Sequence, residues 1–134
     1  EELFNRLFVH LVEPELPRDR AVVLYDYPAA IPTLAAEKAG TPWAQRWELY
    51  LGGIETANCY TEERDPRKIR SFFAAEQARK TRSVVPHRID EQYYRVFGEN
   101  FPDCSGVAMG VDRLLMVLLG EQSIKRVIPF TVLD

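Results

Sequence analysis

Two glutamates on either side of a predicted hairpin turn are the first residues whose types and spacing could support chemistry. Residues 47–51 alternate between apolar and polar side chains, and Gly52-Gly53 then leads into a second extended stretch. If the two stretches pair across these glycines, Glu48 and Glu55 become diagonal neighbours on one face, with their backbones roughly 7–8 Å apart. Two such carboxylates could hold Mg²⁺, which prefers oxygen ligands. The alternative is a solvated acidic face.

A second group follows on the same predicted strand. Asn58, Tyr60 and Glu62 occupy alternating positions and therefore share a face. An amide, an aromatic ring and a carboxylate could together receive an amino acid with a cationic tail. Simple alternation places them on the face opposite Glu55. Either the two sets serve different purposes, or a bulge near Ala57-Asn58 re-aims the strand.

The third candidate is a run of small residues that leads from a predicted strand into a helix, over 106–113. Small residues let a flat ligand approach the backbone, and Arg113 at the junction could stack on a base or bind phosphate. Such a site suits adenine, although the spacing is not that of a Rossmann fingerprint. The alternative is close packing of helix on sheet, with Arg113 in an ordinary salt bridge.

Local patterns predict the elements that position these residues. In chain order they are an amphipathic helix over 2–12, a strand over 21–25, a mostly irregular stretch over 28–46, the hairpin, a helix over about 66–82 with Asp65 as its N-cap, a shorter helix over about 90–97, a buried strand over 104–109, a helix over 112–119 closed by Gly120, and a terminal strand over 125–132. With neither repeat nor linker, the pattern predicts one α+β domain with an antiparallel sheet flanked by helices.

Composition excludes several other classes of protein. The chain has 134 residues, 46% hydrophobic and 28% charged, which is typical of globular proteins and not of disordered or collagen-like chains. A formal net charge of −3 provides no overall attraction for nucleic acid or anionic membranes. The basic residues near 79–82 are explained by the negative end of the helix dipole, a nucleic-acid patch being the alternative.

No apolar run approaches the ~20 residues that a membrane helix needs, so we expect no membrane contact. Cys59 and Cys104 fit no metal or redox spacing, so we expect free thiols in a reducing cytoplasm. The chain opens at Glu1 without methionine or a leader, which suggests a piece of a longer protein.

Several ordered motifs give the chain a specific resemblance. Residues 106–114 resemble motif 3 of class II aminoacyl-tRNA synthetases. Residues 47–50 and 53–58, together with Glu62, are similar to the lysine-specific branch of that class. Further matches at 26–28, 34–35 and 102–106 extend the resemblance over most of the chain. Residues 103–110 look most like the short lysyl-tRNA synthetase paralogues called GenX, PoxA or EpmA, which attach β-lysine to a lysine of elongation factor P.

This resemblance implies a role for each candidate residue, with ATP and Mg²⁺ as cofactors. Glu48 and Glu55 would coordinate Mg²⁺ at the ATP phosphates, and Arg113 would cover the adenine or contact a phosphate. Asn58 would hold the backbone groups of the amino acid, Tyr60 would line its pocket and Glu62 would pair with its ammonium group. The ATP site would comprise Glu48, Glu55, Gly106, Gly110 and Arg113, with Glu55 and Arg113 catalytic, and the amino-acid site Asn58, Tyr60, Glu62 and Ala108.

One position points to the lysine isomer. Ordinary lysyl-tRNA synthetases usually carry glycine where Ala108 stands, and the extra methyl group reshapes the pocket. We expect it to favour β-lysine over α-lysine.

The resemblance leaves two acceptors possible, elongation factor P and tRNA. The alternative to an enzyme is a regulatory or binding subunit that has kept the fold and lost its catalytic activity. Motifs 1 and 2 are missing, so 1–134 would be the C-terminal portion of a catalytic domain, inactive when isolated. The parent would be a cytoplasmic homodimer.

Overall fold

A computed structural model describes residues 2–80, 92–97 and 101–130. Its elements are α1 (Glu2–Leu7), a π-helical turn (Phe8–Val12), a 3₁₀ turn (Glu13–Glu15), β1 (Val22–Pro28), β2 (Trp43–Leu51), β3 (Ile54–Thr61), α2 (Pro66–Lys80), α3 (Tyr93–Val96), β4 (Ser105–Met109), α4 (Val111–Leu119) and a second 3₁₀ turn (Ile124–Arg126). The strands form one four-stranded antiparallel sheet in the order β1-β2-β3-β4. The predicted α+β class is confirmed.

The chain divides into two compact units. Unit 1 comprises Glu1–Tyr27, Arg46–Cys59 and Val107–Asp134, and unit 2 comprises Pro28–Gln45 and Tyr60–Gly106. No helix within the described ranges combines the length and apolar character that crossing a bilayer requires. Cys59 and Cys104 form no disulfide within the described residues, as predicted.

The predicted hairpin is confirmed, and its turn shows why two glycines stand there. Gly52 and Gly53 have φ values of 60° and 77°, so both adopt left-handed conformations, as a type I′ turn requires. The Arg18 side chain crosses Gly53 so closely that a Cβ there would lie 3.0 Å from Arg18 Cγ. Gly53 thus supplies both the backbone conformation and the space for Arg18.

Helix ends also follow the predicted signals. The Asp65 carboxylate accepts the backbone N–H of Arg67 at 2.9 Å, immediately before α2 begins at Pro66. Helix α4 ends at Gly120, whose φ of 68° and bonds to the carbonyls of Met116 and Val117 close its last turn. Arg82, which the prediction included in α2, lies outside the described residues, as do positions 90 and 91 of the next predicted helix.

The first predicted helix is helical throughout 2–12, but its second half is a π-helical turn. Phe4 and Phe8 stack with their ring centres 5.7 Å apart. The ring centres of Phe8 and Tyr27 lie 6.0 Å apart. Strand β1 is longer than predicted and contains Asp26 at φ 59°, the one non-glycine residue with a positive φ in the described ranges.

Two predictions about the C-terminal half are wrong. Strand β4 exists but is not buried, since Val107 is 61% and Met109 49% exposed. Among the described residues it is the last strand of the sheet and pairs with a neighbour on one side only. The terminal strand is absent over 125–130, where the backbone bonds are local, such as Val127 N–H to the Ile124 carbonyl. Residues 131 and 132 lie outside the described ranges.

Candidate active site

Glu48 lies at the centre of a buried polar cluster in unit 1. Its side chain points from β2 into the protein, and the residue is 6% exposed. Arg46 Nη2 donates to Glu48 Oε1 at 2.5 Å. Glu48 Oε2 accepts the hydroxyl of Tyr50 at 2.9 Å and also that of Tyr27. Both carboxylate oxygens therefore already have donors.

The two tyrosines act as fixed donors in this cluster. Burial raises the pKa of Tyr27 and of Tyr50 well above its ordinary value, and the hydrogen bond to Glu48 raises it further. Both hydroxyls thus stay protonated at neutral pH. The Arg46 guanidinium also lies 4.7 Å from the centre of the Tyr27 ring, in a cation–π contact. The charge of Glu48 is neutralised within the cluster.

Glu55 has a more open environment. Arg113, in the first turn of α4, donates from Nη1 to the Glu55 backbone carbonyl at 2.9 Å and lies 3.4 Å from its Oε2. Both side chains are partly exposed, at 51% for Arg113 and 34% for Glu55. An ion pair this exposed contributes under about 1 kcal/mol, so a ligand can replace it at little cost. The structure therefore brings together two of the predicted ATP-site residues.

The predicted magnesium ligands differ in how well they fit a cation. Both are carboxylates, which suit Mg²⁺, and each is paired with an arginine. Glu55 is accessible and has one long contact, whereas Glu48 would have to share or release its donors. Across the described ranges, no group of three or more His, Cys, Asp or Glu side chains could hold a metal ion. Joint coordination by Glu48 and Glu55 stays a prediction, with Glu55 the better placed.

The pairing of β3 with β4 decides between the two alternatives left by the sequence. Gly110 N–H bonds to the Thr56 carbonyl at 2.9 Å, and Glu62 N–H bonds to the Cys104 carbonyl at 3.0 Å. Thr56 and Glu62 are as far apart along the chain as Cys104 and Gly110 are. The two strands therefore run in step, and no extra residue remains for a bulge near Ala57-Asn58. Glu55 therefore lies on the face of β3 opposite to that of Asn58, Tyr60 and Glu62.

The same register identifies which β4 residues lie opposite Asn58 and Tyr60. Within unit 1, Asn58 lies directly opposite Ala108, and within unit 2, Tyr60 lies opposite Gly106. Directly opposed residues of antiparallel strands share a face. The amide predicted to hold the amino acid therefore stands beside the methyl group predicted to select the lysine isomer.

Glu62 occupies a confined position in unit 2. Its backbone is held on both sides, by the bond to Cys104 and by an antiparallel bridge to Ala35. Its Oε1 lies only 2.7 Å from the point where a Cβ on Gly106 would be. Beside it is a narrow crevice whose lining residues are Leu34, Glu62, Glu63, Ile69, Tyr93 and Phe97.

This environment leaves the Glu62 carboxylate suited to binding a cation. Burial raises the pKa of Glu62, and no side chain within the described ranges donates a hydrogen bond to it. Burial and then the charge of Glu62 raise the pKa of Tyr93. A partly desolvated carboxylate with no donor among the described side chains gains most from an incoming ammonium or guanidinium group.

Sequence reasoning missed the partners of Glu48. Alternation along β2 already puts Arg46, Glu48 and Tyr50 on one face, so this part of the cluster could have been found. Tyr27 is 21 residues from Glu48, and its contact depends on the pairing of β1 with β2. The close approach of Gly106 to Glu62 likewise requires the register of β3 and β4.

A cavity of about 450 Å³ in unit 1 contains none of the predicted site residues. It lies between the Gly52-Gly53 turn and the end of α4, and its charged lining residues are Arg18, Asp19, Arg20 and Glu121. Its position near the hairpin turn separates it from Glu48 and Asn58 along the strands.

Comparisons with known proteins agree on one family. The sequence model of class II tRNA synthetases (D, K and N) matches residues 10–134. The chain is 36% identical over 134 residues to an elongation factor P (R)-β-lysine ligase of Avibacterium paragallinarum, covering 98% of this chain and 42% of that protein. It is 38% identical to the ligase of the same name from Klebsiella pneumoniae strain 342, covering 98% of this chain and 41% of that protein. The chain thus spans about two fifths of the length of these relatives.

Proposed function

Because this chain belongs to the family of class II tRNA synthetases (D, K and N), we propose that its parent protein activates lysine or β-lysine with ATP. The proposed acceptor is a lysine of elongation factor P. The observation that carries this proposal is the similarity, over nearly the whole chain, to relatives named elongation factor P (R)-β-lysine ligase. A Glu62 carboxylate without a hydrogen-bond donor among the described side chains supports a cationic substrate.

The proposed reaction has two steps. The carboxylate of the amino acid attacks the α-phosphate of ATP, forming an aminoacyl-adenylate and releasing pyrophosphate. The ε-amino group of the acceptor lysine then attacks the carbonyl carbon, forming an amide and releasing AMP. Neither step needs a protein nucleophile, so the enzyme contributes positioning and charge stabilisation.

Arg113 and Glu55 are the proposed catalytic residues at the nucleotide. Arg113 exchanges its exposed contact with Glu55 for a phosphate or the adenine ring. Gly110 gives this side chain room, because a Cβ at Gly110 would lie 3.3 Å from Arg113 Cδ. When bound, Mg²⁺ supplies further charge neutralisation at the phosphates, with Glu55 as the accessible ligand and Glu48 as the second predicted one.

The amino-acid site uses the other predicted residues. Glu62 pairs with the ammonium group of the side chain, Asn58 holds the groups at the reacting end and Tyr60 lines the pocket. Ala108, opposite Asn58, narrows the reacting end by one methyl group and favours the β-amino isomer. Replacing Ala108 by glycine should therefore shift preference toward α-lysine, and an unchanged isomer preference would remove Ala108 from this role.

The first experiment is ATP–pyrophosphate exchange by the full-length parent, with α-lysine and β-lysine at matched concentrations. A strong preference for β-lysine, followed by transfer to elongation factor P, is the expected result. A preference for α-lysine with transfer to tRNA would favour the alternative, a lysyl-tRNA synthetase, which the matched family model also covers. Exchange with neither isomer would favour a regulatory or binding subunit. We further propose that the parent is a cytoplasmic homodimer.

A further inference from the structure

Resting on this proposed function, we propose that Gly106 is a positioning residue of the amino-acid site rather than a contact of the nucleotide. Its missing side chain leaves the space in which the Glu62 carboxylate lies. Tyr93 lines the crevice beside that carboxylate and confines it. Both positions thereby determine where the substrate ammonium group is held.

The space at Gly106 is already filled by Glu62. A Cβ at this position would lie 2.7 Å from Glu62 Oε1 and 3.8 Å from its carboxyl carbon. Since a Cβ contact below 3.0 Å does not persist in real proteins, one of the two groups must move. The φ of Gly106 lies outside the left-handed region, so the requirement for glycine here is one of space and not of backbone conformation.

The displaced group would be the carboxylate and not the backbone. Glu62 is anchored by its N–H bond to Cys104 and by its bridge to Ala35, whereas its carboxylate is the end of a flexible side chain. A methyl group at Gly106 therefore moves the carboxylate and leaves the strands paired. A bond between carboxylate and ammonium needs a separation of about 2.7–2.9 Å, so a shift near 1 Å weakens substrate binding severely.

Tyr93 limits where the displaced carboxylate can move. Its ring stacks on Phe97 with centres 4.4 Å apart and meets the edge of Phe73 at 5.1 Å. The rings of Tyr93 and Phe97, together with Leu34 and Ile69, make one side of the crevice apolar. A charged carboxylate loses hydration if it rotates into that side. The apolar wall and the open position at Gly106 thus favour one carboxylate orientation.

The test measures KM values in the full-length parent by pyrophosphate exchange, separately for the lysine substrate and for ATP. Gly106→Ala should raise the KM for the lysine substrate about tenfold and leave the KM for ATP within about twofold. Its melting temperature should be close to that of the wild type. Gly40→Ala is the control for a methyl group added where nothing lies within 4 Å; its φ of 71° lowers stability, but neither KM should change.

A double variant tests whether Gly106 acts through Glu62. Glu62→Asp shortens the side chain and so makes room for the added methyl group. The loss in the Gly106→Ala, Glu62→Asp double variant should be smaller than the product of the two single losses. Tyr93→Ala should raise the KM for the lysine substrate, and Tyr93→Phe, which keeps the ring, should restore it.

The outcomes separate this inference from the proposed function. A Gly106→Ala variant whose KM for ATP rises at least as much as that for lysine, or whose two KM values are both unchanged, overturns the inference and leaves the function intact. Independent, multiplicative losses in the double variant also overturn it. A wild-type parent that exchanges with neither lysine isomer overturns the proposed function itself, and the inference with it.

Discussion

At the scale of single residues, the two glutamates that look equivalent in the sequence differ in what surrounds them. Glu48 is buried and accepts donors from an arginine and two tyrosines, whereas Glu55 is partly exposed beside Arg113. A buried carboxylate with a full set of donors contributes to stability in a way that an exposed one does not. The pair should therefore separate into a structural and a cation-binding member.

Replacing each glutamate by glutamine tests this separation. Glu48→Gln leaves the Arg46 guanidinium without its anion, so the free energy of unfolding of the parent should fall by roughly 1–3 kcal/mol. Glu55→Gln should change it by less than about 1 kcal/mol but raise the Mg²⁺ concentration needed for half-maximal exchange. Urea unfolding and Mg²⁺ titration supply the two measurements. A larger Mg²⁺ effect for Glu48→Gln, with stability unchanged, would reverse the assignment.

Glu62 predicts a pH dependence. Burial raises the pKa of Glu62 above 4.5, so folding favours its protonated form relative to the unfolded chain, and this contribution to stability is lost as pH rises through the folded pKa. Substrate binding needs the ionised form. The KM for lysine should therefore rise as pH falls through a pKa above 4.5, and Glu62→Gln should abolish that rise. A titration at or below the ordinary value in kinetic profiles would contradict the confined position of this carboxylate.

At the scale of elements, the sequence predicted well those features whose causes are local. Gly52-Gly53, Asp65 and Gly120 mark turns and helix ends through their own backbone or side-chain chemistry, and all three are confirmed. The burial of β4 was mispredicted because exposure depends on which elements lie next to a strand. Within the candidate site, Arg46 was predictable from alternation, whereas Tyr27 and the contact of Gly106 with Glu62 depend on pairing between distant strands.

The hairpin turn gives a prediction at this scale. Gly53→Ala places a Cβ on a residue at φ 77° and 3.0 Å from Arg18 Cγ, so it should destabilise the protein by about 1–2 kcal/mol. Gly40→Ala imposes a similar φ of 71° with nothing within 4 Å, and should cost less. Thermal unfolding of both variants makes the comparison. Equal losses would show that Arg18 moves aside and that backbone strain alone sets the cost.

At the scale of the whole molecule, much apolar surface is exposed. Val107 and Met109 on β4 and Leu118 and Leu119 on α4 are each about half exposed or more. The chain spans about two fifths of the length of its relatives. Exposed apolar surface of this kind favours association with other protein surfaces.

We expect the 134 residues, taken alone, to be inactive. The resemblance implies that motif 2, with an arginine that binds the α-phosphate, lies outside these residues, so we expect the α-phosphate to lack one of its charge partners. Pyrophosphate exchange by this segment should not exceed the background without protein. Its elution volume in size-exclusion chromatography should shift with concentration as apolar surfaces associate. Measurable adenylate formation by the segment would show that its own residues suffice.

The backbone conformation of Asp26 limits which residues can replace it. Its φ of 59° lies in a strand, directly before the Tyr27 whose hydroxyl reaches Glu48. Among L-residues, asparagine and aspartate tolerate that conformation best, and glycine adopts it freely. In a library of substitutions at this position, survivors under selection for function should be almost entirely Asp, Asn and Gly. The shape of the backbone would thus limit which residues this position accepts.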